Sequence, residues 1–361
     1  MNSTADYVSY FRPAIDAMEG YVPGEQPKGK DILKLNTNES PFPPAPGVAS
    51  MLEKFETERL RLYPDPLATE IRAEIGALFG LSYENVIAGN GSDDILNIAI
   101  RCFCDETRPL AILDPTYSLY TTLAALQGTE CIKIPLDSTD FSMPDDILEK
   151  AERANLLIIT RPNAPTGNSF PRSVMHNICA NFKGVVLIDE AYADFASDNC
   201  ADFVKKYSNV IVARTFSKSR CLAGLRFGYA IACKELICGM MKMKDSYNVS
   251  MLTQKLALAS WWDRNYFYDC IAKIKLAREM LFLGLLDLGF KVIESETNFL
   301  FASPPDGNAL EYFQKLRANN IIVRYFPGPV TGKYVRISIG TEQQISRLFM
   351  LTKEIYSGKL F

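Results

Sequence analysis

Histidine is nearly missing: His176 is the single imidazole in 361 residues. A Ser-His-Asp triad or a two-His metal site cannot readily be built from one imidazole. Acid–base chemistry must then rest mostly on lysine, tyrosine and carboxylates. His176 itself follows Pro171-Arg172 on an expected helix and reads as a helix-surface residue. The nine cysteines are an odd number, spread over positions 102 to 270 with no Cys-x-x-Cys spacing. A disulfide framework or a cysteine-rich zinc site is not expected, and reduced thiols in a cytoplasm fit better. No long basic block occurs, and 39 Lys+Arg against 42 Asp+Glu leave a net charge of −3. That argues against a nucleic-acid partner. No apolar run reaches the ~18 residues a spanning helix needs. The opening MNSTADYVSYFRP has an acidic residue and no apolar leader core. The expectation is a cytoplasmic chain with small-molecule partners, no metal, no nucleic acid and no membrane.

What is present is an ordinary globular composition, 48% hydrophobic and 22% charged. At roughly 100–200 residues per domain the length suggests two or three domains. Residues 36–44 (Asn-Thr-Asn-Glu-Ser-Pro-Phe-Pro-Pro) are too turn-rich for a regular element. Leu67 to Phe79 has helical spacing, stopped by Gly80. A rhythm of short apolar strand, polar turn and helix follows. The expected strands are Val86–Ala88, Ala111–Leu113, Leu156–Ile159, Val185–Ile188, Val210–Ala213 and Phe227–Ala232. Several are apolar on both faces, as in a parallel sheet covered by helices.

After a long helical stretch, about Tyr266 to Leu288, the pattern changes. Lys291–Ile293, Asn298–Phe301, Ile321–Val323 and Tyr334–Ser338 read as strands between helices. The fold class is therefore α/β: a large domain with a mainly parallel sheet and helices on both faces (45–270), plus a smaller α+β domain (271–361). An N-terminal segment (1–44) joins the small domain at the entrance.

In open α/β sheets ligands bind at the carboxyl ends of strands, so the residues after each strand carry the chemistry. Gly89-Asn90-Gly91-Ser92-Asp93-Asp94 precedes an apolar helix and can hold an anion on backbone N–H groups. Asp94 stands where a dinucleotide fingerprint needs its third glycine, which favours a single phosphate ester. Tyr117, after Ala111–Leu113, can wall a flat ligand; a core-edge role is the plainer alternative. Thr160 to Gly167 is a rigid turn presenting Asn163. Asp189, at the end of a buried strand, needs a cationic or N–H partner, or caps a helix. Lys218 lies among hydroxyls one turn beyond Val210–Ala213. Arg220 and Arg226 nearby would depress its basicity and make it a Schiff-base nucleophile. One flat aromatic, one Asp, one Tyr, one Lys, one Arg and one phosphate cradle at one sheet edge is the inventory for pyridoxal 5′-phosphate.

On these motifs the chain resembles the fold-type I pyridoxal-phosphate aminotransferases. Lys218 with the trailing Gly224-Leu225-Arg226-Phe227-Gly228 carries the superfamily resemblance. Leu35 to Pro41, Leu62-Tyr63-Pro64-Asp65-Pro66 and Ser295-Glu296-Thr297-Asn298-Phe299 resemble the histidinol-phosphate branch. The resemblance implies that Lys218 forms the Schiff base and moves the proton, Asp189 pairs with the pyridine nitrogen, Tyr192 bonds the ring oxygen, and Tyr117 stacks. The amides of Ser92 and Asp93, with Ser217 and Arg226, would hold the cofactor phosphate, Gly91 and Thr215 would also bind the cofactor, and Tyr63 would reach the phosphate from a neighbouring subunit, which implies a homodimer. Arg336 would hold a substrate carboxylate or phosphate, with Tyr21, Asn38 and Arg324 as further substrate contacts. One departure stands out: the superfamily asparagine before Pro-Thr-Gly is Ala164 here, and Asn163 lies one place earlier, so either Asn163 substitutes or Tyr192 bonds the ring oxygen alone.

The implied reaction is reversible amino transfer between histidinol phosphate plus 2-oxoglutarate and imidazole-acetol phosphate plus glutamate. An aromatic aminotransferase or a decarboxylase of a phosphorylated amino acid would use the same cofactor. A regulator with an aminotransferase-like domain would need a helix-turn-helix ahead of it, and none is seen. A nicotinamide oxidoreductase would need the missing glycine.

Overall fold

The computed structural model describes residues 10–29 and 31–357. The outer ends of the expected N-terminal segment and C-terminal domain fall outside those residues. A two-residue strand, β1 (Leu33–Lys34), precedes a seven-stranded sheet. That sheet comprises β2 (Val86–Gly89), β3 (Leu110–Asp114), β4 (Cys131–Pro135), β5 (Leu156–Thr160), β6 (Val185–Asp189), β7 (Val210–Thr215) and β8 (Gly228–Ala232). Their spatial order is β2-β8-β7-β6-β5-β3-β4. All pairings are parallel except those of β8, which runs antiparallel to both β2 and β7.

The central strands are apolar up to their carboxyl ends because helices cover both faces. Leu157 and Ile159 of β5 enter one core, Leu156 and Ile158 the other. The edge strand β4 was not expected from the sequence. It alternates a buried Ile134 with exposed neighbours and so lacks the continuous apolar signal of its interior companions.

The second sheet holds β9 (Lys291–Ile293), β10 (Phe299–Ser303), β12 (Arg324–Tyr325) and β13 (Val335–Ser338), in the order β12-β13-β10-β9. The strand expected at 321–323 is found as β11 (Ile321–Ile322), and a further short strand, β12, follows it directly. β11 pairs in parallel with β1, and β12 crosses to pair antiparallel with β13. That crossing sets Arg324 directly opposite Arg336. The 24-residue helix Arg264–Asp287 buries Ile271, Ile274, Ala277, Leu281 and Leu285 at helical spacing against this second core.

His176 is half-buried on the helix Arg172–Asn181, stacked on Phe203 and bonded through Nδ1 to the Tyr207 hydroxyl at 3.0 Å. Among the described residues no group of acids, cysteines and histidine could hold a metal, and no helix is long and apolar enough to cross a membrane.

Candidate functional site

A cavity of about 590 Å³ opens where the carboxyl ends of β5, β6 and β7 meet the β12–β13 edge and residues 36–39. Its volume suits a cofactor with a substrate. At its floor β6 delivers Asp189, which is buried. The Tyr120 hydroxyl donates to Asp189 Oδ2 at 2.7 Å and the Ala191 N–H to Oδ1 at 3.1 Å. Burial outweighs these donors and pushes the Asp189 pKa up to about 6, with Asp93 and Glu190 adding to the rise.

Lys218 lies just beyond β7. Its Nζ donates to the Thr37 carbonyl at 3.1 Å and stands 5.8 Å from the Tyr192 ring centre. Burial, then the Arg336 charge, lowers its pKa to about 8; Glu39 and Asp93 oppose that and Arg226 adds to it. Arg220, expected as one of the cationic neighbours, is directed elsewhere. Its guanidinium is over Phe267, 3.9 Å from the ring centre, and donates to the Ser260 carbonyl. The aromatic cluster of Trp261, Phe216 and Phe267 gives that charge a better-packed place than the cavity does.

The anion cradle is the amino end of the 12-residue helix Ser92–Phe103. Gly91 sits at φ 87°, and a Cβ there would come within 2.6 Å of Arg226 Nη2. A Cβ on Gly228 would come within 2.3 Å of the Ser92 nitrogen. These two glycines therefore let β8 and Arg226 close against the helix end. Arg226 donates to Asp93 Oδ2 at 3.0 Å and to Ser217 Oγ at 3.2 Å, while Thr215 Oγ1 bonds Ser217 Oγ at 3.0 Å. Tyr117 faces the same space, with its hydroxyl 3.4 Å from Asp93 Oδ1 and Tyr21 edge-on at 6.1 Å between centres.

On the opposite wall Arg336 is held between the Phe299 and Phe326 rings, each centre 5.2 Å away. Its Nη2 donates to the Asn36 carbonyl at 3.0 Å, and its buried Nε has no partner among the described residues. Arg324 lines the same wall, makes long contacts, 3.4 and 3.3 Å, to the Pro23 and Val22 carbonyls, and stands 5.5 Å from the Phe326 ring centre. Two arginines opposite each other on adjacent strands repel unless an anion lies between them.

Asn38 donates from Nδ2 to the Tyr192 hydroxyl at 3.0 Å and accepts from Ser338 Oγ at 2.9 Å. Its expected place is the cavity, where it is found, and it also braces Tyr192.

Three expected residues do not line this cavity: Gly91, which sits at the helix end beside Ser92, Asn163 and Tyr63. Asn163 is fully buried, and its amide is committed to the Pro115 carbonyl at 3.0 Å, Thr166 Oγ1 at 2.8 Å and Thr116 Oγ1 at 3.1 Å. It does not substitute at the position of Ala164, which does line the cavity. Tyr63 is 79% exposed and stacked on Tyr247 at 4.5 Å, away from this chain's own cavity. Sequence reasoning passed over Tyr120. Its spacing of three from Tyr117 at a helix start, which sets both rings on one side, was the available signal.

The donor set suits a flat ring with a basic nitrogen, an aldehyde-reactive lysine and an anionic ester. The glycine-enforced cradle and the unpartnered Arg336 Nε are the two places a ligand would complete. Comparison with known proteins agrees. The family model "Aminotransferase class I and II" matches residues 30–350. The chain is 44% identical over 344 residues to a histidinol-phosphate aminotransferase of Microcystis aeruginosa, covering 95% of this chain and 98% of that one. It is 39% identical over 345 residues to a histidinol-phosphate aminotransferase of Syntrophotalea carbinolica, covering 95% and 99%. Among solved structures, histidinol-phosphate aminotransferase from Sinorhizobium meliloti in complex with pyridoxal-5′-phosphate has a TM-score of 0.88 at 23% identity, covering 98% and 99%. Aspartate aminotransferase from Thermus thermophilus with maleate has 0.77 at 17%, covering 90% and 92%. These two structural likenesses speak to the fold.

Proposed function

The chain belongs to the class I and II aminotransferases, and on that premise we propose that it transfers an amino group between histidinol phosphate and 2-oxoglutarate, forming imidazole-acetol phosphate and glutamate. One observation carries the reading. Lys218, an amine of depressed basicity, shares a cavity with the facing Arg324 and Arg336. An amino-transfer enzyme must hold two different anionic substrates in one pocket, and a guanidinium fork suits a carboxylate or a phosphate equally.

The cofactor is pyridoxal 5′-phosphate. When bound, it supplies an aldehyde to take the amino group and a ring that draws electrons from the substrate Cα. The protein's own groups do the rest. The amides of Ser92 and Asp93, the Ser217 hydroxyl set by Thr215, and Arg226 hold the phosphate. Asp189 holds the pyridine N–H. Tyr192, braced by Asn38, bonds the ring oxygen, and Tyr117 covers the ring face. Lys218, neutral above about pH 8, would take the proton from the substrate Cα and deliver it to the former aldehyde carbon of the cofactor. Arg336 and Arg324, with Tyr21, hold the substrate anion.

Of the described residues, 45–270 would form the cofactor domain, and those of 271–361 and of segment 1–44 would supply the substrate wall. The active unit is a homodimer in which Tyr63, turned away from its own cavity, reaches the cofactor phosphate of the second copy. All nine cysteines are free thiols, which suits a reducing cytoplasm.

The test is an absorbance titration of the purified holoenzyme. A visible band bleached by histidinol phosphate and restored by 2-oxoglutarate is expected, and Lys218→Ala should have no such band. A response to phenylalanine alone would move the function to aromatic amino transfer. Release of carbon dioxide in place of a keto product would make it a decarboxylase.

A further inference from the structure

A second cavity, of about 510 Å³, lies behind the first, with Thr215 in the wall between them. Arg220 lines the second cavity and not the first. It is only 8% exposed, and the Phe267, Trp261 and Phe216 ring centres are 3.9, 4.7 and 5.4 Å from its guanidinium carbon. Among the described residues its one hydrogen bond runs from Nη1 to the Ser260 carbonyl at 2.6 Å. The Nε and Nη2 atoms form the edge that grips a carboxylate side-on, and neither is sealed in the core.

The charges around this edge do not balance. Asp194, Asp198 and Asp202 line the cavity, but each is engaged elsewhere. Asp194 accepts from Arg214 Nη1 at 3.2 Å and from Ser219 Oγ at 2.5 Å. Asp198 pairs with Arg161 at 2.5 Å and Asp202 with Arg172 at 2.9 Å. Arg220, Arg264 and Lys205 line the same space, and none of them makes an ion pair among the described residues. Aromatic rings offset part of the cost of a buried guanidinium, but a buried cation without an anion stays costly. The Tyr229 hydroxyl also makes no hydrogen bond among the described residues, although the residue is only 3% exposed.

We propose that this second cavity binds a small planar monocarboxylate of the benzoate type, with its carboxylate on the Nε–Nη2 edge of Arg220. A bidentate pair is coplanar with the guanidinium, so a flat body attached to the carboxylate continues along the rings that already pack on Arg220. Burial pushes the Tyr229 pKa up to about 12, so its hydroxyl keeps its proton and can donate to the same carboxylate. Asp194 acts on Arg220 from close by and penalises a second negative charge, which disfavours a phosphate dianion. Neither Arg220 nor Tyr229 lines the cofactor cavity, so the site does not depend on the cofactor reading.

The chain has two tryptophans, Trp261 in this cavity wall and Trp262, which is 55% exposed. Trp262→Phe leaves Trp261 as the only indole. The full-length Trp262→Phe enzyme, loaded with pyridoxal 5′-phosphate, is titrated with benzoate at constant ionic strength while Trp261 emission is followed. A saturable change is expected. Benzamide, which has the shape without the charge, and inorganic phosphate should each bind at least 10-fold more weakly. Arg220→Lys keeps the charge but loses the fork, and should weaken benzoate roughly 10-fold or more. Tyr229→Phe should weaken it about 2- to 10-fold, and it decides alone if Arg220→Lys does not fold. Arg336→Leu removes the anion clamp of the first cavity and should leave the titration unchanged.

A titration that does not saturate, or benzamide binding as well as benzoate, would overturn the site. So would an affinity that neither Arg220→Lys nor Tyr229→Phe moves. Loss of the signal in Arg336→Leu would place the benzoate on the substrate wall and overturn it too.

Discussion

Lys218 is held where its charge is costly. Burial and the Arg336 guanidinium favour the neutral amine, and Glu39 and Asp93 only partly oppose them. Its pKa of about 8 lies below the ordinary lysine value of about 10.4. The sign follows directly. The neutral form that attacks an aldehyde predominates above about pH 8, and protonation removes it below. The rate of loading with pyridoxal 5′-phosphate should therefore rise with pH and level off near 8, as followed by stopped-flow absorbance. An unperturbed lysine would keep rising past 10. Glu39 lines the cavity and is paired with Lys34. Glu39→Gln removes a negative charge that favours the ammonium form, so its plateau should begin at lower pH. A plateau that moves up would show that Glu39 acts on Lys218 in some other way.

At the scale of elements, the phosphate cradle depends on how closely β8 approaches the helix Ser92–Phe103. Gly228 opens β8 and has no room for a Cβ, because the Ser92 nitrogen would be 2.3 Å from it. Gly228→Ala must push the helix start away from β8, and the Ser92 amide with it. Losing one charge-assisted bond to the phosphate is worth about 1.5–3 kcal/mol, or roughly 10- to 140-fold in cofactor affinity. Equilibrium dialysis of the variant against pyridoxal 5′-phosphate measures it. Unchanged affinity would mean that the cradle tolerates a wider gap. The division of 321–325 between two sheets is the other decision made at this scale. It sets two guanidinium groups across one ladder, an arrangement that hydrophobic pattern alone does not favour.

For the whole molecule, the two cores meet at the cavity. Ala164 and Tyr192, which follow strands of the large sheet, pack into the core of the small one. The substrate wall is thus braced on the cofactor floor through Asn38, Tyr192 and Ser338. Tyr63 does not line this chain's own cavity, and its role rests on the proposed dimer. Tyr63→Ala should leave the fold intact, since the side chain is 79% exposed. It should weaken cofactor retention if the chain works as a dimer. Sedimentation shows the assembly, and release of the visible band on dilution shows the contribution of Tyr63. A monomer in solution, or full retention in the variant, would remove that role.

Much of this protein was determined locally and could be read from the chain. Interior strands such as β5 and β7 are buried on every residue, and their apolar runs Leu156–Ile159 and Val210–Ala213 are continuous because both of their faces are covered, so their identity survives without tertiary information. Ligand groups follow those strands, so Asp189, Lys218 and the Gly91-Ser92-Asp93 turn stood out as well. Tertiary structure decided whatever depended on which of several neighbours a side chain would choose. Arg220 went to an aromatic cluster instead of Lys218, and Asn163 went to Thr116 and Pro115 instead of the cavity. Tyr120 gained its place on Asp189 across 69 residues of chain. The edge strand β4 and the facing Arg324 and Arg336 likewise depend on pairing partners distant in sequence. A residue's periodicity fixes the face it presents, but its hydrogen-bond partner is settled by competition among groups that only the folded chain brings together.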